Sequence, residues 1–497
     1  MTGSLPSDLA EMAREIRQYA KDFGLDFFEV SFELLDYDQL NMVAAYGGFP
    51  TRYPHWKFGM EFEELQKTYA YGLQKIYELV INNDPCYAYL MKCNHPVDQK
   101  LVMVHVYGHS DFFKSNFWFS QTNRKMMDEI ANHGVRIRRY IERYGQQKVE
   151  DFLDSCLSVD NLIDYHSPFI VRHRKKVSEF QETERDSGAQ PTRLKAKSYM
   201  ESYINPPSYL EMERAKIQQK LDEMKKFPEE PEKDLLFFLM ENATLERWQR
   251  DILSIIREES YYFAPQGMTK IMNEGWASYW HSKIMTEKAC TAADIIDYAD
   301  HHSATMNTQP GTFNPYKLGI ELFRDIEDRW NKGKFGREWE ECESAAAKFA
   351  WDRQLELGRK KIFEVRKIYN DVTFIDEFLT PEFVDKHQLY TYSYNKQTQE
   401  YVIESRDFKA VKEKLLFGLS NFGQPYIYVE DGNLKNRGEL YLVHRFDGVP
   451  LRLDHARDTM ENIFKIWLRP VHLETVVDKR KKVLTYNGSK HEEKIIK

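Results

Sequence analysis

The sequence predicts a mainly α protein, a large helical domain followed by a small α+β domain. Three observations predict it. Apolar residues recur at helical spacing through long segments between residues 8 and 369. Period-two alternation enters only after Asp371, as in Leu389-Tyr-Thr-Tyr-Ser-Tyr394. The 497 residues are 42% hydrophobic and 14% aromatic, enough for a large core and two or three domains.

Residues 8–34 read as a helix with Ser7 or Asp8 as N-cap. The Gly- and Pro-rich block Ala45 to Gly59, which carries His55 and Trp56, reads as an ordered loop. Helical patterns follow over 61–80, 99–119 and 122–144, with a turn at Asn82 to Pro85. Residues 172–233 are charged, Pro-interrupted and poor in core residues, so they read as an insertion or linker, partly helical and partly mobile. A helix returns from Leu235 to about Arg257, Ala264-Pro-Gln-Gly267 reads as a break, and helices continue over 268–286 and on to about Tyr369. The remainder reads as β-β-α-β-β-α-β-β, with a hairpin turning at Asp431-Gly-Asn433. The expected division is a helical core of 1–171 and 234–370, an insertion at 172–233, and an α+β domain over 371–497.

The formal charge of −8 gives no general pull toward nucleic acid or an anionic membrane surface. Five scattered cysteines without a Cys-x-x-Cys pair argue against a disulfide framework and against a thiolate zinc site. The first residues lack a basic and then apolar leader, and no apolar run reaches membrane length. The reducing cytosol is therefore the expected compartment.

Three segments carry candidate chemistry. His105-Val-Tyr-Gly-His109 puts two imidazoles on one helical face, where they can hold one metal ion, although such a pair alone is more often structural. In Asn273-Glu-Gly-Trp-Ala-Ser-Tyr-Trp-His281, Glu274 and His281 share a helical face among aromatic residues. A carboxylate in such surroundings must be paired, protonated or metal-bound. Tyr298 to Tyr316 reads as a polar, turn-rich loop whose His301 and His302 are candidate ligands or proton donors. Glu258, Glu259 and Asp111 are candidate bases, each more commonly a surface or capping acid. No phosphate-cradling Gly-rich loop and no Gly-x-Ser-x-Gly elbow occurs in the sequence.

The 273–281 segment resembles the Asn-Glu-Gly-Phe-Ala-Ser/Thr-Tyr segment of gluzincin metallopeptidases, in which the Glu is the third zinc ligand. By that resemblance His105, His109 and Glu274 are the metal ligands and zinc the expected cofactor. Val106 stands where those enzymes carry the water-activating Glu, so Glu259, His281 or His302 is expected to manage protons.

On a larger scale, Tyr46–Gly59, His105–Asn116, Met272–His281, Gln309–Gly319 and Leu434–Arg445 resemble the defining blocks of the SpoVR (stage V sporulation protein R) family. The resemblance implies a link to spore cortex formation or to stress and stationary-phase physiology. It also implies association with a PrkA-type serine kinase and a von Willebrand-like protein. Two functions remain open at this point: a gluzincin-like metal-dependent hydrolase of peptide or amide bonds, and a non-catalytic scaffold or regulatory protein.

Overall fold

The computed structural model describes residues 5–70, 79–170, 195, 197, 200–224, 227–308, 313–395 and 398–496. The architecture is mainly α, with a small C-terminal sheet domain. The described chain packs into two compact units. One comprises Met1–Val149 with Tyr261–Gln424, and the other Glu150–Ser260 with Pro425–Lys497.

These divisions fall elsewhere than 171/172, 233/234 and 370/371, and side-chain packing explains why. Val411, on the helix Phe408–Leu419, is buried in the helical core of the first unit, so 371–424 stay with that unit. In the second unit Glu232 bridges to Val429, and Phe238 packs on Trp467 at 5.7 Å between ring centroids. Those contacts tie the segment before 260 to the C-terminal sheet. Much of the charged stretch 172–233 lies outside the described residues. Within it, Pro207–Met224 is helical.

In the first unit the helix Ser7–Asp22 stops at Gly24, whose φ of +82° suits a left-handed helix exit. Residues 30–34, expected as helix, form instead the strand Val30–Leu35. Its Val30, Phe32 and Leu34 alternate with polar residues, as a strand requires. The strand runs parallel to Cys86–Met91, which pairs antiparallel on its other side with Leu79–Ile81. The two-stranded hairpin Thr391–Asn395 with Glu400–Ser405 is separate.

Two further expectations are corrected. Helix Arg247–Met268 continues through Pro265, and the interruption lies between Asn242 and Arg247. Proline removes one hydrogen bond but leaves a carbonyl, and Thr269 N–H donates to it at 3.1 Å. Tyr298–Thr305 is not loop: it belongs to the helix Asp294–Thr305.

The helix Lys270–Ile284 runs through the centre of the first unit, with Trp276, Ala277 and Trp280 fully buried. Small residues let its neighbours approach. A Cβ on Gly108 of helix Pro96–Ser115 would sit 2.7 Å from the Ala277 backbone. A Cβ on Gly275 would strike the backbone of Gly319 on helix Pro315–Lys332. Asp371 fastens the first turn, accepting from the Ile271 and Met272 amides at 2.8 and 2.9 Å. Burial pushes the Asp371 carboxyl up to about 8, while those amides pull it down.

The second unit carries a five-stranded sheet in the spatial order Tyr426–Leu434, Glu439–Arg445, Val471–Val477, Arg480–Tyr486 and His491–Ile495. Neighbours are antiparallel except the second and third, which are parallel. The helix Leu453–Trp467 connects that pair, as a parallel crossover requires. Its Met460, Ile463 and Ile466 are buried. The strand His491–Ile495 extends the expected β-β-α-β-β-α-β-β order by one.

Candidate metal centre

The expected ligands converge. His105 Nε2 lies 3.5 Å and His109 Nε2 3.6 Å from the same oxygen of Glu274, Oε2. Each of the three offers one ligand atom, all within 4.8 Å of one another. The i, i+4 spacing on Pro96–Ser115 brings the two rings to 4.6 Å between centroids. The Gly108/Ala277 contact brings the opposing helix close enough for a short carboxylate side chain to reach both rings.

The spacing tests whether a cation fits. Zinc binds imidazole nitrogen and carboxylate oxygen at about 2.1 Å in tetrahedral geometry, which puts neighbouring ligand atoms about 3.4 Å apart. The observed 3.5 and 3.6 Å match that requirement. Both are long for a hydrogen bond, the His105 contact standing at its outer limit.

The outer nitrogens of both rings are held. His109 Nδ1 donates to Asn273 Oδ1 at 2.9 Å. That bond leaves Nε2 with its lone pair directed at Glu274, the tautomer a metal ligand needs. His105 Nδ1 lies 2.9 Å from His281 Nδ1, and His281 Nε2 lies 3.3 Å from His302 Nδ1. With His105 Nδ1–H donating, the remaining donor of His281 points to His302, so one direction of donation runs along all three rings. Burial and the nearby Arg324 hold His302 below the usual imidazole range.

Burial differs among the three residues. Both ligand histidines are buried, whereas the Glu274 side chain is 18% exposed. Val106 is fully buried in the apolar core, so no carboxylate stands at the position that activates water in gluzincins.

His281 lies behind His105, against the nitrogen that faces away from Glu274, and so orients that ring. His302 follows one step further out. His301 pairs instead with Asp98. Asp111 is fully buried against Arg366 and accepts from Trp276 Nε1 at 2.7 Å, which makes it a packing anchor and not a base. Glu259 is buried on Arg247–Met268 and belongs by packing to the second unit. His55 is buried at the start of helix Trp56–Ala70, and its Nδ1 accepts from Lys57 N–H at 3.2 Å.

Two residues beside the centre carried no role in the sequence reading. Asn273 stood in view next to Glu274, and its side chain proves to orient His109. The ring of Tyr316 lies 6.3 Å from that of His105. It sits in the first turn of Pro315–Lys332, far along the chain from either metal-site helix.

The SpoVR like protein model matches residues 4–424, and the SpoVR-like C-terminal domain model matches 425–478. The chain belongs to the SpoVR family. The junction of the two matches, 424/425, coincides with the packing division there. The chain is 30% identical to the uncharacterized protein YcgB of Escherichia coli K12 over 499 aligned residues, spanning 93% of this chain and 90% of that one. No solved structure matches. Among the described residues of this SpoVR protein, no helix is long and apolar enough to cross a membrane.

The tether on His109 has a measurable effect. If His105, His109 and Glu274 hold a metal, Asn273→Ala, which frees the ring to rotate and to change tautomer, is expected to lower metal affinity by about 10- to 100-fold, as for outer-shell partners elsewhere. Competition against a chelating dye measures it, and affinity unchanged within twofold contradicts the assigned role.

Proposed function

We propose that this SpoVR-family protein is a metal-dependent hydrolase of peptide or amide bonds, with a divalent metal, zinc in the first instance, held by His105, His109 and Glu274. The observation that carries the reading is the pair of 3.5 and 3.6 Å separations from one Glu274 oxygen to two imidazole Nε2 atoms whose outer nitrogens are already bonded. Three protein ligands among the described residues is the number found in catalytic zinc sites, whereas structural sites close all four positions. A metal bound there supplies Lewis acidity toward a carbonyl and toward water.

The chain's own residues do the rest. Asn273 and His281 fix the two ligand rings, which are themselves buried. The partly exposed side of Glu274 is the side from which a substrate enters. Proton transfer falls to a group other than position 106, with His302, at the outer end of the chain of imidazoles, as the proposed acid or base. Roles in spore cortex formation or stationary-phase physiology, and association with a PrkA-type kinase or a von Willebrand-like protein, belong to the same proposal.

The buried Val106 favours a second reading, in which the centre stabilises a non-catalytic scaffold. One experiment separates the two. Metal-loaded protein is incubated with a panel of dipeptides, blocked peptides and amides, before and after chelation. The hydrolase reading expects cleavage that chelation abolishes, that metal restores and that His105→Ala/His109→Ala lacks. A metal-loaded protein that cleaves none of the panel leaves the scaffold.

A further inference from the structure

The first unit holds a cavity of about 360 Å³ that the metal centre does not use. Its walls come from the N-terminal half of Pro315–Lys332, the helix Pro381–His387, the hairpin Thr391–Ser405 and the helix Phe408–Leu419. Its size is that of a small-molecule site, and the lining has the usual make-up of one, an apolar body with a few convergent polar groups. Phe313, Phe383 and Leu389 are among the apolar groups.

Three polar side chains give the cavity a chemical direction. Glu321 is half-buried and engages Arg324 through Oε1 at 2.7 Å. Its other oxygen, Oε2, lies 4.0 Å from Nε2 of His387. That gap is too long for a hydrogen bond but suits one donor placed between them. His387 Nε2 is buried without a hydrogen-bond partner, and its ring packs on Phe383 at 4.3 Å between centroids. A buried polar atom left in this state points to a missing partner. Burial holds His387 below the usual imidazole range, so near neutral pH the ring is uncharged and can accept at Nε2 when its proton sits on Nδ1.

One helical turn away, Lys317 is half-buried and lines the same cavity. Its Nζ bonds the hydroxyl of Thr308 at 3.2 Å, and no carboxylate among the described residues pairs with it. A cation and an acceptor pair thus stand i, i+4 apart at the edge of an apolar pocket. Lys414, also in the lining, is already committed to Glu404 at 3.1 Å.

We propose that this cavity binds a small zwitterion of the amino-acid class, a free apolar amino acid or short peptide, with its ammonium between Glu321 and His387 and its carboxylate on Lys317. The apolar side chain lies against Phe313, Phe383 and Leu389. Opposite charges one helical turn apart, with an apolar wall beside them, distinguish such a ligand from a simple amine, a simple acid or a nucleotide. The site is separate from the metal centre and does not require the chain to be a hydrolase.

The test is isothermal titration calorimetry of the full chain with three probes: L-phenylalanine, N-acetyl-L-phenylalanine and phenethylamine. L-phenylalanine is expected to bind one per chain. Removing either charged end, or substituting Glu321→Gln or Lys317→Met, is expected to weaken binding at least about tenfold, the effect of losing one charge-assisted hydrogen bond. The two variants sit on different partners and are checked for native thermal unfolding, so loss in a folded variant reports the contact. The His105→Ala/His109→Ala variant is expected to bind L-phenylalanine as the wild type does. The proposal is overturned by no binding at millimolar L-phenylalanine, by equal binding of the N-acetyl probe, or by binding that both pocket variants retain. Binding lost in the histidine variant and kept in the pocket variants would place the ligand at the metal centre and overturn it equally.

Discussion

Asp111→Ala lowers the unfolding free energy by about 3–5 kcal/mol, the usual result of removing one partner from a buried ion pair. Three groups lose their acceptor at once. Arg366, itself 4% exposed, keeps its charge with no carboxylate beside it. Trp276 Nε1 and the Asp26 amide, each 2.7 Å from Asp111, are left buried or half-buried without that bond. Burial pushes the Asp111 carboxyl up to about 6 against the pull of Arg366, so at neutral pH the pair is charged. Chemical denaturation at pH 7 measures the change. Asp111→Leu combined with Arg366→Met should recover much of the loss, because two apolar groups leave no stranded charge. A single-variant loss below about 1 kcal/mol would mean that the pair does not anchor the histidine helix.

Gly275→Val destabilises by about 3 kcal/mol, the upper part of the range for overpacking, because its new atoms meet backbone and not a movable side chain. Gly319 lies directly opposite on Pro315–Lys332, and the two helices must separate to admit a side chain. Glu274 is the next residue, so its carboxylate moves with the backbone and metal affinity falls as well. Val at Gly59, where an added Cβ meets nothing within 4 Å, is the control and should cost little of either. Equal stability of Gly275→Val and wild type would refute the close crossing of these helices.

Much of this was readable from the chain. The 3.6-residue period located the helices because their apolar faces pack on one core, and the two segments that converge at the candidate centre stood out by residue type and spacing. The sequence does not say which side of a histidine another residue will take. His281 shares a helical face with Glu274, yet it binds the outer nitrogen of His105, a choice set by the helix crossing and not by spacing. Residues 30–34 were misread because a short apolar run fits either period, and its partner strand lies some fifty residues away. The division at 424/425 was missed for a similar reason. The hairpin at 391–405 looks like the strands after it, but Val411 buries against the helical core. Tyr316 and the His387 cavity depend wholly on long-range packing.

The central claim is that His105, His109 and Glu274 hold one metal ion. The most direct measurement is metal content by inductively coupled plasma mass spectrometry, on protein purified without an affinity-metal step, beside His105→Ala/His109→Ala. The account predicts about one transition metal per chain in the wild type and none in the variant, because two of three ligands are gone. A wild type that is well folded, contains no metal and takes up no added zinc would contradict it.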